Sequence, residues 1–410
     1  MDFDAIPFQG EESVTLVINT LESGDYSEQI NAILAGKDSE IEIINTAGMN
    51  IAHCMGCNQC WLKTPGICAI KDDYEIIIKK LVKADNVWFV TDTRFGFTDY
   101  RGKRVMDRLM PMLNMYLTFR DGWMRHQLRY RAQNIGIIYK GDGNQQLLEE
   151  WTVRSSANIG GHSLGAIALD KRLTSTATTE FPRNVASEPE RVRHVAIING
   201  SPRIKKFSNT NKIIQSFAQG LDEAGTTHEL YSLSNRLEWE TAREAISLNQ
   251  DTIIALPLYV DCVPALLLEF LGTLPANCAQ PAKMSFILHS GFEEGHQLRL
   301  GERLLQSLSE QLGYTYGGTL VKGGSFMLRM FEGKNAERAL NPYRAMGRLF
   351  AENGNFFFPE AAKFTGPEQF PWLVRKMVGM IFRSVIRKHF DRFAKEWGCT
   401  RPLEDKPYSE

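Results

Sequence analysis

Val195-Ala-Ile-Ile-Asn199 runs straight into Gly200-Ser-Pro-Arg203, and Ser208-Asn-Thr210 then opens a helical pattern at Lys212. Strand, polar loop and helix N-terminus in that order bring unpaired backbone N–H groups and the positive end of a helix dipole to one point, where an anion is stabilised. A phosphate monoester suits such a loop. The chain has no GxGxxG and no GxxxxGK followed by Ser or Thr, so the dinucleotide and nucleoside-triphosphate fingerprints are both absent. What remains is a loop that holds phosphate by hydroxyl and amide donors; an ordinary strand-to-helix turn with a good N-cap is the alternative.

Outward from this loop, the second half of the chain alternates strand and helix. Strands are expected at Val195 to Ile198, His228 to Tyr231, Thr252 to Ala255, Met284 to Leu288 and Tyr314 to Leu320, with helices near 212–224, 240–247, 265–271 and 295–312. The first half repeats the order, with strands at Val14 to Ile18, Ile41 to Ile44, Val87 to Val90, Ile135 to Ile138 and Ala166 to Leu169. Short, continuously apolar strands separated by helices argue for parallel sheets covered on both faces. The fold class is therefore α/β: two tandem flavodoxin-like three-layer domains with five-stranded parallel sheets, plus a C-terminal helical extension. The boundaries fall at 1–170, 191–330 and 331–410, and 171–190, rich in Thr, Ser, Pro and charge, reads as a linker.

Length and composition agree. The 410 residues with 43% hydrophobic content can bury two cores, and a formal charge of −1 offers no global attraction for nucleic acid. The N-terminal stretch is acidic and lacks an apolar signal core, and no stretch approaches the roughly 18 apolar residues of a membrane span, so a cytoplasmic protein is expected. Seven cysteines, four of them crowded into one short segment, do not make a disulfide framework.

Open sheets of this kind bind ligands at the carboxyl ends of their strands. In the second half those ends carry Gly200 to Thr210, then Pro257-Leu-Tyr-Val-Asp-Cys-Val-Pro264, then His289-Ser-Gly-Phe-Glu-Glu294. Two prolines bracket a stiff loop suited to a flat heterocycle, and Gly291 permits close approach. Together the three loops suit a flavin mononucleotide. They resemble the signature loops of the NAD(P)H-dependent FMN reductase branch of the flavodoxin-like superfamily, over about Val192 to Gly324. The resemblance implies FMN phosphate held by Ser201, Arg203, Ser208, Asn209 and Thr210. It implies the isoalloxazine held by the backbone of Pro257, Leu258, Tyr259 and Val260 and by the Ser290–Gly291 turn, with hydride arriving from NAD(P)H. For Tyr259 the alternative is a core aromatic at a strand end.

The first half departs from this pattern. Thr20-Leu-Glu-Ser-Gly-Asp25 carries two carboxylates where a phosphate would sit, and Thr91-Asp-Thr-Arg-Phe-Gly-Phe97 lacks the Pro-x-Tyr character. No FMN is expected there. Lys103 with Asp107-Arg108 resembles a motif that follows this loop in relatives, but an ordinary solvated or capping pair is expected. Instead the half offers Cys54-Met-Gly-Cys57-Asn-Gln-Cys60 and Cys68, four thiolates within reach of one centre, as an iron–sulfur cluster requires. The segment resembles the cysteine motif of iron–sulfur flavoproteins, which implies a [4Fe–4S] cluster on Cys54, Cys57, Cys60 and Cys68; a Cys₄ zinc site and a bare thiol loop are the alternatives. His53 reads as incidental.

The halves are thus complementary, one with cysteines and one with flavin loops, as in a pseudo-dimer within one chain, with homo-oligomerisation also open. The leading function is an FMN-dependent NAD(P)H oxidoreductase passing hydride or electrons to an acceptor that the sequence leaves open. A flavin/iron–sulfur electron carrier reduced by a partner protein is one alternative, and a non-redox Cys₄ zinc adaptor with a vestigial flavin fold is another. Beyond Phe331 the chain is helical, and Arg375 to Trp397 is basic and amphipathic, with Met377, Ile381, Val385, Phe390 and Phe393 in a broken helical period. That apolar face is expected to pack on the protein itself rather than on a membrane.

Overall fold

Two parallel sheets organise the chain. The computed structural model describes residues 13–23, 26–36, 40–170, 190–275 and 282–409. In the first half, β1 (Val14–Asn19), β2 (Glu40–Asn45), β3 (Asn86–Arg94) and β4 (Phe97–Thr98) precede a separate hairpin of β5 (Leu113–Arg120) and β6 (Trp123–Leu128). After the hairpin come β7 (Gln133–Lys140) and β8 (Gly160–Ala168). The main sheet runs β2-β1-β3-β7-β8, all parallel, and β4 folds back antiparallel on β3. The sheet therefore has six strands where the sequence suggests five. The reversal is made at Phe95 and Gly96, both at positive φ.

The second half contains β9 (His194–Asn199), β10 (Thr227–Ser232), β11 (Asp251–Pro257), β12 (Lys283–His289) and β13 (Thr315–Lys322), in the order β10-β9-β11-β12-β13. Hairpin aside, both sheets have the doubly wound flavodoxin-like order, with the switch point beside their first strand. In β9 and β11 every residue but the first is buried, which is why these strands read as unbroken apolar runs. The proposed linker, but for Glu190, lies outside the described residues, as do Gly24 and Asp25 of the first-half loop and Cys278.

The halves share a core. Helix Tyr100–Met106 packs on helix Ala265–Leu271, helix Gln145–Asn158 packs on helix Arg299–Gln311, and one buried apolar cluster runs from Phe89 and Trp151 to Phe270 and Leu304. The long helix Gly333–Asn353 lies along Asn209–Glu223. It comes so close that a Cβ on Gly220 would lie 2.0 Å from the Arg344 carbonyl oxygen and one on Gly347 2.1 Å from that of Phe217.

The chain continues through Pro359–Phe364 to a helical run of Trp372–Ile381, a π-helical turn Phe382–Ile386, and Arg387–Glu396. Here the expectation that this face packs inward holds only in part. Phe390 is buried and Phe393 packs beside it, in a cluster with Trp61, Met115 and Tyr116. Met377, Ile381 and Val385 are exposed. The hairpin meets the run from one side, with Phe119 stacked on Phe382 and the Arg375 guanidinium on Gly122 O at 2.7 Å, and leaves the other side open. Among the described residues no helix is long and apolar enough to cross a membrane.

Candidate functional site

β9 ends in the loop from Gly200, whose turn is held by Ser201 N donating to Asn199 Oδ1 and Arg203 N donating to Ser201 Oγ. Ser208 caps the 15-residue helix Asn209–Glu223 by accepting from Asn211 N, so it serves the helix and does not line the cavity. Helix geometry leaves the Asn209 and Thr210 N–H groups without intrahelical partners. Arg203 is only 9% exposed, yet among the described residues no carboxylate pairs with it; its guanidinium reaches Phe207 O at 3.3 Å and Asn58 Oδ1 at 3.4 Å. A buried cation without an anion is costly. Beside helix N–H groups and the hydroxyls of Ser201 and Thr210, it fits a phosphate.

Ser201, Arg203, Asn209 and Thr210 line a cavity of about 300 Å³. Pro257, Leu258, Tyr259, Val260, Ser290 and Gly291 line the same cavity, so ten of the eleven residues assigned to FMN from sequence meet there. Tyr259 and Cys262 close a two-residue turn by reciprocal backbone hydrogen bonds of 2.9 and 3.1 Å, with Val260 at φ 42° and Asp261 at φ 61°. A β-branched residue at positive φ is strained and persists only where its surroundings hold it. The first half supplies that hold. Trp151 Nε1 donates to Val260 O at 3.0 Å, Asn158 Nδ2 to Asp261 Oδ2 at 2.6 Å, and Lys103 Nζ to Tyr259 O at 2.8 Å.

Three further groups belong to the site that sequence reading did not assign to it. His289 is buried between Thr210 Oγ1 at 2.8 Å and Ser325 Oγ at 2.7 Å, and burial pushes its imidazole down to about 3, so it is neutral at pH 7. Arg329 lines the cavity with its buried Nε and Nη1 unpartnered among the described residues. Asn58, at φ 61° in the cysteine loop, is the residue that meets Arg203. His289 was legible as the first residue of a quoted loop; Arg329 lies past that loop, and Asn58 belongs to the other half.

The Lys103 motif is not solvated. Lys103, Asp107 and Arg108 are all buried. Lys103 pairs with Asp107, which also caps helix Ala265–Leu271 by accepting from Ala265 N at 2.8 Å. Arg108 pairs with Asp72, lies over the Tyr74 ring and reaches Cys68 Sγ at 3.3 Å. His53 is not incidental either: its Nε2 meets Glu269 Oε2 at 2.6 Å, across the two halves. Burial would raise the Glu269 carboxyl, but hydrogen bonds from His53 and Arg236 outweigh it and hold the group down to about 2.

Cys54, Cys57, Cys60 and Cys68 lie near enough to influence one another electrostatically. Among the described residues no three metal-ligating side chains are set to hold an ion as they stand. Burial pushes the Cys54 thiol up to about 12, so ligation there must displace a proton. The loop reaches the cavity through Gly56 and Asn58. Gly56 has φ 58°, and a Cβ there would lie 1.7 Å from the Tyr259 hydroxyl, so cysteine loop and flavin-type loop touch at that point.

No family model matches the chain. Over 85 residues it is 38% identical to an iron–sulfur flavoprotein of Methanocaldococcus jannaschii, a stretch that is 21% of this chain and 42% of that protein. The chain thus matches less than half the length of this relative. The resemblance to iron–sulfur flavoproteins is borne out at the level of sequence. Among solved structures, an NAD(P)H:quinone oxidoreductase from Methanothermobacter marburgensis aligns at 21% identity over 38% of this chain and 96% of its own, with a TM-score of 0.28. An FMN-dependent NADH-azoreductase from Bacillus anthracis aligns at 15% identity over 39% of this chain and 100% of its own, with a TM-score of 0.27.

Proposed function

We propose that this chain is an FMN-dependent NAD(P)H oxidoreductase, with one flavin held by its second half. The observation that carries the reading is Arg203, a buried guanidinium beside a helix N-terminus that lines the cavity and, among the described residues, has no carboxylate partner. Bound there, FMN supplies a ring that accepts hydride from a nicotinamide and hands electrons on. Arg203, Ser201, Thr210 and the Asn209 and Thr210 N–H groups hold its phosphate, and neutral His289 fixes the Thr210 and Ser325 hydroxyls without adding a positive charge. The rigid Tyr259–Cys262 turn, braced by Trp151, Asn158 and Lys103, borders the ring.

The rest of the cavity is walled by Leu113, Met115 and Met124 of the hairpin, by His126 tilted against Trp61 and Phe292, and by Phe382 and Ile386 of the C-terminal run. Such walls exclude water and favour a flat, apolar acceptor. Cys54, Cys57, Cys60 and Cys68 would hold a [4Fe–4S] cluster, which supplies single-electron storage, and Arg108 steadies Cys68.

Anaerobic addition of NADH or NADPH to the FMN-loaded protein tests the reading. Bleaching of the flavin absorption by either nucleotide is expected; no reaction with both overturns the enzyme assignment. Iron analysis of anaerobically purified protein tests the cluster, and an iron-free protein removes it.

A further inference from the structure

The helical run from Trp372 carries two apolar faces, and the cavity uses only one of them. Phe382, Ile386 and Phe390 point to the cavity. On the outside, Trp372 is 56% exposed, Leu373 68%, Met377 56%, Met380 61%, Ile381 46% and Val385 62%. Positions 373, 377, 380, 381 and 385 recur at helical spacing, so they form one stripe rather than scattered side chains. The π-helical turn Phe382–Ile386 inserts an extra residue between the two faces, which lets one short segment serve both. Solvent-facing apolar stripes of this kind mark interaction surfaces.

The charges around the stripe identify what covers it. Residues 369–390 contain Arg375, Lys376, Arg383, Arg387 and Lys388 and no Asp or Glu. Arg387 is answered by Glu404 and Arg375 donates to Gly122 O, but among the described residues Lys376, Arg383 and Lys388 pair with no carboxylate. Lys376 lies 3.9 Å over the Trp372 ring at the start of the stripe, an amphipathic pairing suited to the boundary between headgroups and acyl chains. A second copy of this chain would bring two positive faces together. An anionic bilayer supplies apolar depth and negative charge together.

We propose that residues 372–388 form an interfacial helix that docks this protein on an anionic lipid surface, lying in the plane of the membrane with the stripe immersed. The groove between this helix and the β5–β6 hairpin, lined by Phe119, Gly122, Trp372 and Gly379, adjoins the redox cavity at Leu117, which lines both. Docking sets that seam at the lipid boundary. The inference stands apart from the redox reading, since binding is measured without flavin or nicotinamide.

The test is co-sedimentation of the full chain with phosphatidylcholine vesicles and with vesicles containing phosphatidylglycerol. Pelleting with the anionic vesicles only, weakened by salt, is the expected result. M377E/I381E should lower binding to the level of neutral vesicles, and K376Q and K388Q should each weaken it about fivefold. All four side chains are exposed, and unchanged circular dichroism and melting verify the fold. Binding that is absent from anionic vesicles, or that persists in both M377E/I381E and K376Q/K388Q, overturns the proposal. So does a concentration-dependent dimer, without vesicle binding, that M377E/I381E dissolves; it would assign the stripe to a second copy.

Discussion

At the residue scale the site turns on side chains that are costly where they stand unless something meets them. Arg203 is the main case, since taking a guanidinium out of water is repaid only by an anion or well-made hydrogen bonds, and its contacts of 3.3 and 3.4 Å are long. Arg203→Ala should raise the FMN dissociation constant about 10- to 100-fold by flavin-fluorescence titration, the range for one lost charge-assisted hydrogen bond. His289 makes a statement about pH. Its folded-state imidazole titrates near 3 against the ordinary 6.5, so between those values the unfolded chain binds a proton that the folded chain does not. Stability is then full above pH 6.5 and falls as pH drops, by up to about 1.4 kcal/mol per unit from this residue. Denaturant titrations at pH 7 and pH 5 should show that loss, and His289→Asn should flatten it. Ser201, Arg203 and Thr210 were legible as types in a loop. That Arg203 lacks a carboxylate was not, because pairing depends on what the other half brings.

At the scale of elements, the strands of both sheets were legible because burial on both faces leaves an unbroken apolar run, as in Val195 to Ile198. The β5–β6 hairpin was not. Leu113 to Arg120 shows no clean alternation, since the cavity, Trp61 and the C-terminal run take its side chains from different directions. Helix packing was equally hidden. Glycine is a poor helix former, yet Gly220 and Gly347 are where two helix backbones approach closely. Gly347→Ala should destabilise the protein by about 1–3 kcal/mol in chemical denaturation, because the new methyl group meets the Phe217 carbonyl rather than a flexible side chain.

For the whole molecule, the two halves share one sheet order and differ in their loops. Among the described residues of the loop after β1, Thr20 Oγ1 is spent on Val90 O and Glu22 pairs with Arg101. Lys103, Trp151 and Asn158 of the first half brace the turn of the other half instead. The FMN-to-protein ratio of the loaded protein should therefore be near one, and a ratio near two in a flavin and protein assay would contradict it. The sequence by itself determined the two doubly wound sheets, because apolar periodicity and loop chemistry are local properties. It also determined the candidate phosphate loop and the cysteine cluster, each of which is carried by a short stretch of chain. Only the tertiary structure decided that Gly56 meets Tyr259, that buried Asp107 caps a helix of the other half, and that Met377, Ile381 and Val385 stay outside. Those are long-range outcomes: they depend on which surfaces the two halves and the C-terminal run cover when they pack, and no local pattern records them.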